Sequence, residues 1–185
     1  MSMLEHGILV VACTLASLAQ AQTYNLGRTP TAREIAGWNI DVAPDGVGLP
    51  PGSGTVRQGG EIFASQCSGC HGAKGEGGVA DRLVGGIGSL KSDKPLKTVG
   101  SFWPYATTLY DYIHRAMPFN APQSLTADQV YAVAAYVLYL NKIVSEDAVL
   151  DAKTLAKVQM PNRNGFTSPD PRPDIKTKPC MKDCR

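Results

Sequence analysis

The sequence lacks a surplus of either charge: 18 Lys and Arg stand against 16 Asp and Glu, a formal net charge of +2. Binding a phosphate backbone needs a concentrated basic surface, so this balance argues against nucleic acid as a partner. Histidine is scarce as well, with three in the chain. His6 falls in the first few residues, which leaves His71 and a spare His114 and no acid-base constellation around either. After residue 22 no apolar run approaches the length that spans a bilayer. No internal repeat is present, which excludes a solenoid or array. With 185 residues, 43% of them apolar, the chain is long enough for one core of ordinary size. The expectation is one domain with appendages.

What is present begins with an apolar run, Gly7 to Ala19, closing on the small-residue pattern Ala19-Gln20-Ala21. This reads as a signal peptide over residues 1–21, cleaved before Gln22, and predicts a periplasmic protein. The segment ahead of the run holds Glu5 and His6 but no Lys or Arg, which leaves an uncleaved anchor as the alternative. Val10-Val11-Ala12-Cys13 resembles a lipoprotein box, although few apolar residues precede it.

Residues 22–54 are rich in Gly, Pro and polar side chains, apart from a short patterned stretch at Ala32 to Trp38. They read as an irregular N-terminal extension that needs a surface to lie on, with Trp38, Ile40 and Val42 as candidate contacts. A helix is predicted from Thr55 to Gln66, and a long Gly-rich loop from Gly72 to Gly100. A second helix runs from Tyr105 to Ala116, after Pro104 and before Pro118. The strongest runs from Ala127 to Asn141, where Val130, Val133, Ala134, Val137 and Leu140 recur at helical spacing. Thr126 and Gln129 form a capping box for it, and Leu125 can staple onto Val130. A short amphipathic piece, Asp147 to Val158, leads into a tail containing Pro169, Pro171, Pro173 and Pro179. Residues 144–185 therefore read as an extended C-terminal tail that clasps a partner.

Cys67-Ser68-Gly69-Cys70-His71 has the C-x-x-C-H spacing in which two thiols add across porphyrin vinyl groups and the adjacent imidazole ligates iron. One covalent haem c is the cofactor this predicts, with Cys67, Cys70 and His71 binding it. Two other uses of such a pair exist. A thioredoxin-like redox pair belongs to a strand–helix context, whereas here a helix precedes and a Gly-rich loop follows. A zinc site needs two further ligands. For the sixth iron position Met117 is the best placed, because a soft thioether favours ferrous iron and Pro118 fixes the turn after it. His114, one helical turn earlier, and Met160 in the tail are the alternatives. Arg82, Trp103 and Tyr105 are candidates to hydrogen-bond the haem propionates. Cys180 and Cys184 are read as a disulfide, since an exported chain rarely keeps two free thiols. A redox or metal role for that pair stays open, but Arg185 rather than His follows Cys184, which excludes a second attached haem.

Gly59 and Phe63, eight and four residues before Cys67, together with Tyr136 on the strongest helix, resemble the crossing found in class I cytochromes c. The resemblance covers Thr55 to Asn141 and implies an all-α class I cytochrome c fold over residues 55–143, with irregular N- and C-terminal extensions. One departure is visible. The family usually carries a proline whose carbonyl accepts the proximal imidazole N–H, and this chain has Gly78-Val79-Ala80-Asp81-Arg82-Leu83 instead. A backbone carbonyl of that stretch, with Ala80 the first candidate, has to take over.

Met117-Pro118-Phe119-Asn120-Ala121-Pro122-Gln123-Ser124-Leu125, Tyr136 to Asn141, Met160 to Phe166 and Pro169 to Asp174 are more distinctive still. With them nearly the whole mature chain resembles the SoxD-like cytochromes that accompany bacterial molybdenum sulfite or sulfur dehydrogenases. That resemblance implies a non-catalytic electron-transfer subunit. Its partners would be a molybdenum-containing sulfite/sulfur dehydrogenase subunit and a downstream electron-acceptor cytochrome. A free diffusible shuttle for another periplasmic dehydrogenase, and the haem subunit of a different oxidoreductase, remain as alternatives.

Overall fold

The computed structural model describes residues 26–166. The expected signal peptide, the Cys180–Cys184 pair and the Pro-rich stretch after residue 166 lie outside the described residues. The chain divides after Asn39 into two units, taken here one at a time. In the first, helix α1 spans Ala32–Trp38. Thr31 accepts the Glu34 N–H on its hydroxyl while the Glu34 carboxylate accepts the Thr31 N–H, the capping box that starts so short a helix. Arg28 beside Glu34, helped by Thr31, draws that carboxyl down to about 2.

The second unit carries strand β1 (Ser53–Thr55), helices α2 (Val56–Gln66), α3 (Ser68–His71), α4 (Val99–Phe102), α5 (Ala106–Ala116) and α6 (Ala127–Leu140), then strand β2 (Val149–Asp151). Single 3₁₀ turns lie at Ser89–Lys91 and Leu155–Lys157. The architecture is helical, as expected. The sequence pattern did not single out the antiparallel β1–β2 pair, in which Ser53 faces Asp151 and Thr55 faces Val149.

The helix boundaries follow from local chemistry. Thr55 and Gln58 cap α2, and Thr126 and Gln129 cap α6, each hydroxyl receiving the third N–H and each glutamine returning the bond. Helix α6 buries eight consecutive or near-consecutive side chains from Val130 to Leu138, so it is surrounded rather than one-faced. Helix α2 lies against it through Gly59: a Cβ there would run into the Ala132 carbonyl and come within 2.8 Å of the Tyr136 Cβ. Phe63 then meets Tyr136 at 5.3 Å between ring centroids, tilted by 53°. The absence of a side chain at one position and an aromatic pair one turn later set how closely the two helices approach.

This core takes in residues on both sides of 55–143. Val42 and Leu49 pack onto it from the N-terminal side. The Tyr131 hydroxyl donates to the Pro50 carbonyl at 2.8 Å, and Arg115 ties Asp41 at 2.9 Å to Asp111 at 2.6 Å. On the C-terminal side Leu150, Leu155 and Met160 are all buried in the same cluster. Three helices leave an apolar flank uncovered, and these two extended segments close it.

Candidate haem-attachment site

Helix α2 ends at Cys67, whose N–H still bonds the Phe63 carbonyl at 2.9 Å. The chain then makes one more turn, α3, with the N–H groups of Cys70 and His71 both donating to the Cys67 carbonyl at 3.1 and 3.0 Å. Residues three and four apart on a helical turn share a face, so Cys67, Cys70 and His71 are brought together by local geometry alone. Gly72 stops the turn in the left-handed region, at φ 81°.

The Gly-rich loop folds back on this turn. Ala80 donates its N–H to the Cys70 carbonyl at 3.0 Å, and Gly77 donates to the His71 carbonyl at 2.7 Å. The following residue, Asp81, places its backbone carbonyl 2.8 Å from His71 Nδ1. Ala80 was the expected acceptor. It is Asp81 instead, because the Ala80 carbonyl already accepts the Gly78 N–H at 3.1 Å. A carbonyl can only accept, so Nδ1 carries the proton and Nε2 keeps its lone pair for a metal.

Neither Cys67 nor Cys70 is in a disulfide; Cys67 is half-buried and Cys70 exposed. Burial, with Cys70 nearby, pushes the Cys67 thiol up to about 11, so it keeps its proton at neutral pH. Among the described residues no group of three or more His, Cys, Asp and Glu side chains converges as a metal site. Two unpaired thiols beside an imidazole with a free Nε2 form a donor set that suits covalent haem.

Met117 arrives from another element. It ends α5 in extended backbone, its N–H bonded to the Ile113 carbonyl, and its half-buried side chain packs on the same core as Cys67. Of the two alternatives, Met160 is 3% exposed and is core filling. His114 turns a buried, unpartnered Nδ1 inward, with its ring 5.9 Å from that of Tyr110.

Asn141 is a functional position that sequence reasoning passed over. At the end of α6, buried to 3% exposure, it accepts the Gly85 N–H at 3.1 Å and donates to the carbonyls of Leu83 at 3.1 Å and Val137 at 2.9 Å. Thr98 adds a 2.6 Å bond from its hydroxyl to the Gly85 carbonyl. The loop that positions Asp81 is thereby pinned to the strongest helix. A polar Asn closing an apolar helix was the visible signal, but only its partners reveal its use. Among the propionate candidates, Arg82 is exposed. Trp103 and Tyr105 are half-buried, and the guanidinium of Arg163 lies 5.2 Å above the Tyr105 ring.

Helices crossing at Gly59 and at Phe63–Tyr136, with the attachment turn at the end of one of them, constitute a c-type cytochrome fold of class I. The sequence profile described as cytochrome C oxidase, cbb3-type, subunit III, matches residues 54–137. A chain from the crystal structure of the sulfane dehydrogenase SoxCD of Paracoccus pantotrophus superposes with a TM-score of 0.77 at 44% identity, covering 88% of this chain and 83% of that one. A thiosulfate dehydrogenase of Psychrobacter arcticus is 31% identical over 115 residues, which are 57% of this chain and 35% of that protein. The chain thus spans about a third of the length of that curated relative. By these similarities the chain belongs to the SoxD-like cytochromes c, which carry electrons and do not themselves catalyse.

Proposed function

We propose that this chain is the periplasmic electron-transfer subunit of a molybdenum-containing sulfite or sulfur dehydrogenase, with a signal peptide at residues 1–21 and one covalent haem c. The observation that carries the reading is the 2.8 Å bond from His71 Nδ1 to the Asp81 carbonyl beside two unpaired thiols. It is supported by the 44% identity to a chain of the SoxCD sulfane dehydrogenase.

When bound, haem c supplies a one-electron ferric–ferrous couple. The Cys67 and Cys70 thiols would form the thioether links, and His71 Nε2 would ligate the iron. The Asp81 carbonyl holds the imidazole in its tautomer and makes it a stronger donor. The Met117 thioether would be a further iron ligand, and a thioether donor would raise the reduction potential above that of a bis-imidazole site. The segments flanking the helices, residues 22–54 and 144–185, provide contact surface for the molybdenum subunit. A further cytochrome accepts the electrons. Among the described residues no helix is long and apolar enough to cross a membrane.

Production of the full chain in a host with c-type maturation machinery tests the cofactor assignment. One haem per chain that survives acidic acetone extraction is expected, and colourless protein overturns the reading. Affinity purification of the tagged chain from its native cell should retain molybdenum, and a sulfur compound should reduce the haem only when that partner is present. A monomer reduced equally well by unrelated dehydrogenases would identify a free shuttle instead.

A further inference from the structure

Helix α1 is amphipathic, yet its apolar side covers nothing. At 100° per residue Ala32, Ile35, Ala36 and Trp38 fall on one arc of the helix, and Arg33, Glu34 and Gly37 fall on the other. No residue of the helix is buried: Ile35 is 50% and Trp38 88% exposed. Seven residues are fewer than the roughly 12–15 at which an isolated helix becomes even marginal in water. Polar bonds hold it instead. The Glu34 carboxylate accepts the Thr31 N–H at 2.8 Å and an Arg28 Nη1 bond at 2.8 Å.

The helix is thus built ahead of any burial of its apolar arc, which suits an element that docks into a groove on another protein. Tryptophan is among the side chains most enriched at the energetic centre of such contacts. Charge narrows the chemistry of the receiving surface. Arg28 is neutralised by Glu34, whereas Arg33 forms no ion pair among the described residues. A surface that takes the apolar arc therefore needs a carboxylate at its rim. The segment is not peculiar to this chain. Residues 40–185 are 146 of the 185 residues, about 79%, yet the superposition on the SoxCD chain covers 88%, so part of the first unit is shared with that chain.

We propose that α1 anchors this chain to the molybdenum subunit, with Trp38 and Ile35 entering an apolar groove and Arg33 pairing with a carboxylate on its rim. This rests on the electron-transfer role proposed above, and it narrows the contact surface of residues 22–54 to one helix.

The experiment uses the matured full-length chain and the molybdenum protein that co-purifies with it. Hydrogen exchange read by mass spectrometry should show residues 32–38 exchanging fast in the free cytochrome and protected in the complex. By calorimetry Trp38→Ala should weaken binding about thirtyfold or more, the loss that a buried anchor causes. Arg33→Glu should weaken it several-fold although an acidic residue favours the first turn of a helix, so that the loss is one of binding. Val47→Ser removes an apolar side chain, 69% exposed, that lies outside the helix, and should leave the affinity near the parent. Because α1 buries nothing, all of these variants should accumulate with haem attached. If Trp38→Ala does not, Ile35→Gln and the exchange measurement carry the test. Parent-like affinity in the Trp38 or Ile35 variant with residues 32–38 unprotected overturns the inference while the electron-transfer reading stands. Protection of 32–38 already in the free monomer, or a dimer of this chain that Trp38→Ala dissolves, also overturns it, because the helix then covers its own chain or a second copy. If no molybdenum protein binds the parent, the proposed function falls and the inference with it.

Discussion

At the scale of single residues, two positions divide the work between coordination and support. On the proposed reading Met117 ligates the iron through its sulfur, so Met117→Ala should open the sixth position. The ferrous variant is expected to bind carbon monoxide, visible as a Soret shift, where the parent binds none, and its potential should fall. Asn141 acts from farther away, through three hydrogen bonds from one buried amide. Asn141→Leu leaves Gly85 N–H and Leu83 C=O without this partner, at about 1–3 kcal/mol for each buried group stranded. Chemical denaturation of the matured protein should show a lower midpoint with haem still attached, since the thioethers do not depend on Asn141. The spacing Cys67, Cys70, His71 was legible because a helical turn is local. The choice of Asp81 over Ala80 was not, because it depends on where a loop with many glycines folds back.

At the scale of elements, the helices were read from periodicity and caps, and α2, α5 and α6 differ from expectation by a residue at most. Helices α3 and α4 and both strands were missed. Three-residue strands carry too little alternation to register, and β1 exists only because β2 lies beside it. Their contribution is measurable through the residues that follow. Leu155 is fully buried, so Leu155→Ala should cost about 2–5 kcal/mol in urea unfolding. A chain ended at Ile143 loses Leu150, Leu155 and Met160 together, a loss comparable to the whole stability of a small domain. It should fail to accumulate as folded, haem-loaded protein. Normal yield and melting temperature for that truncation would show that the post-143 segment is an appendage after all.

At the scale of the whole molecule, the near-neutral balance of 18 basic and 16 acidic residues leaves little long-range field to steer a partner. Association with the proposed molybdenum subunit should therefore depend weakly on ionic strength, with Kd by calorimetry changing less than about tenfold across the range in which surface charges become screened. A steep loss of affinity with salt would point to a concentrated charged patch. The sequence by itself determined what is local: the attachment turn, the capped helices, and the glycine and aromatic positions that let two of them meet. Each depends on residues within a few positions of one another, or on side-chain size. Only the tertiary structure decided that the chain beyond residue 143 supplies core side chains, that Asn141 secures the loop orienting His71, and that Arg163 faces Tyr105. Such pairings join parts of the chain far apart in sequence, and nothing in the residues beside either partner encodes them.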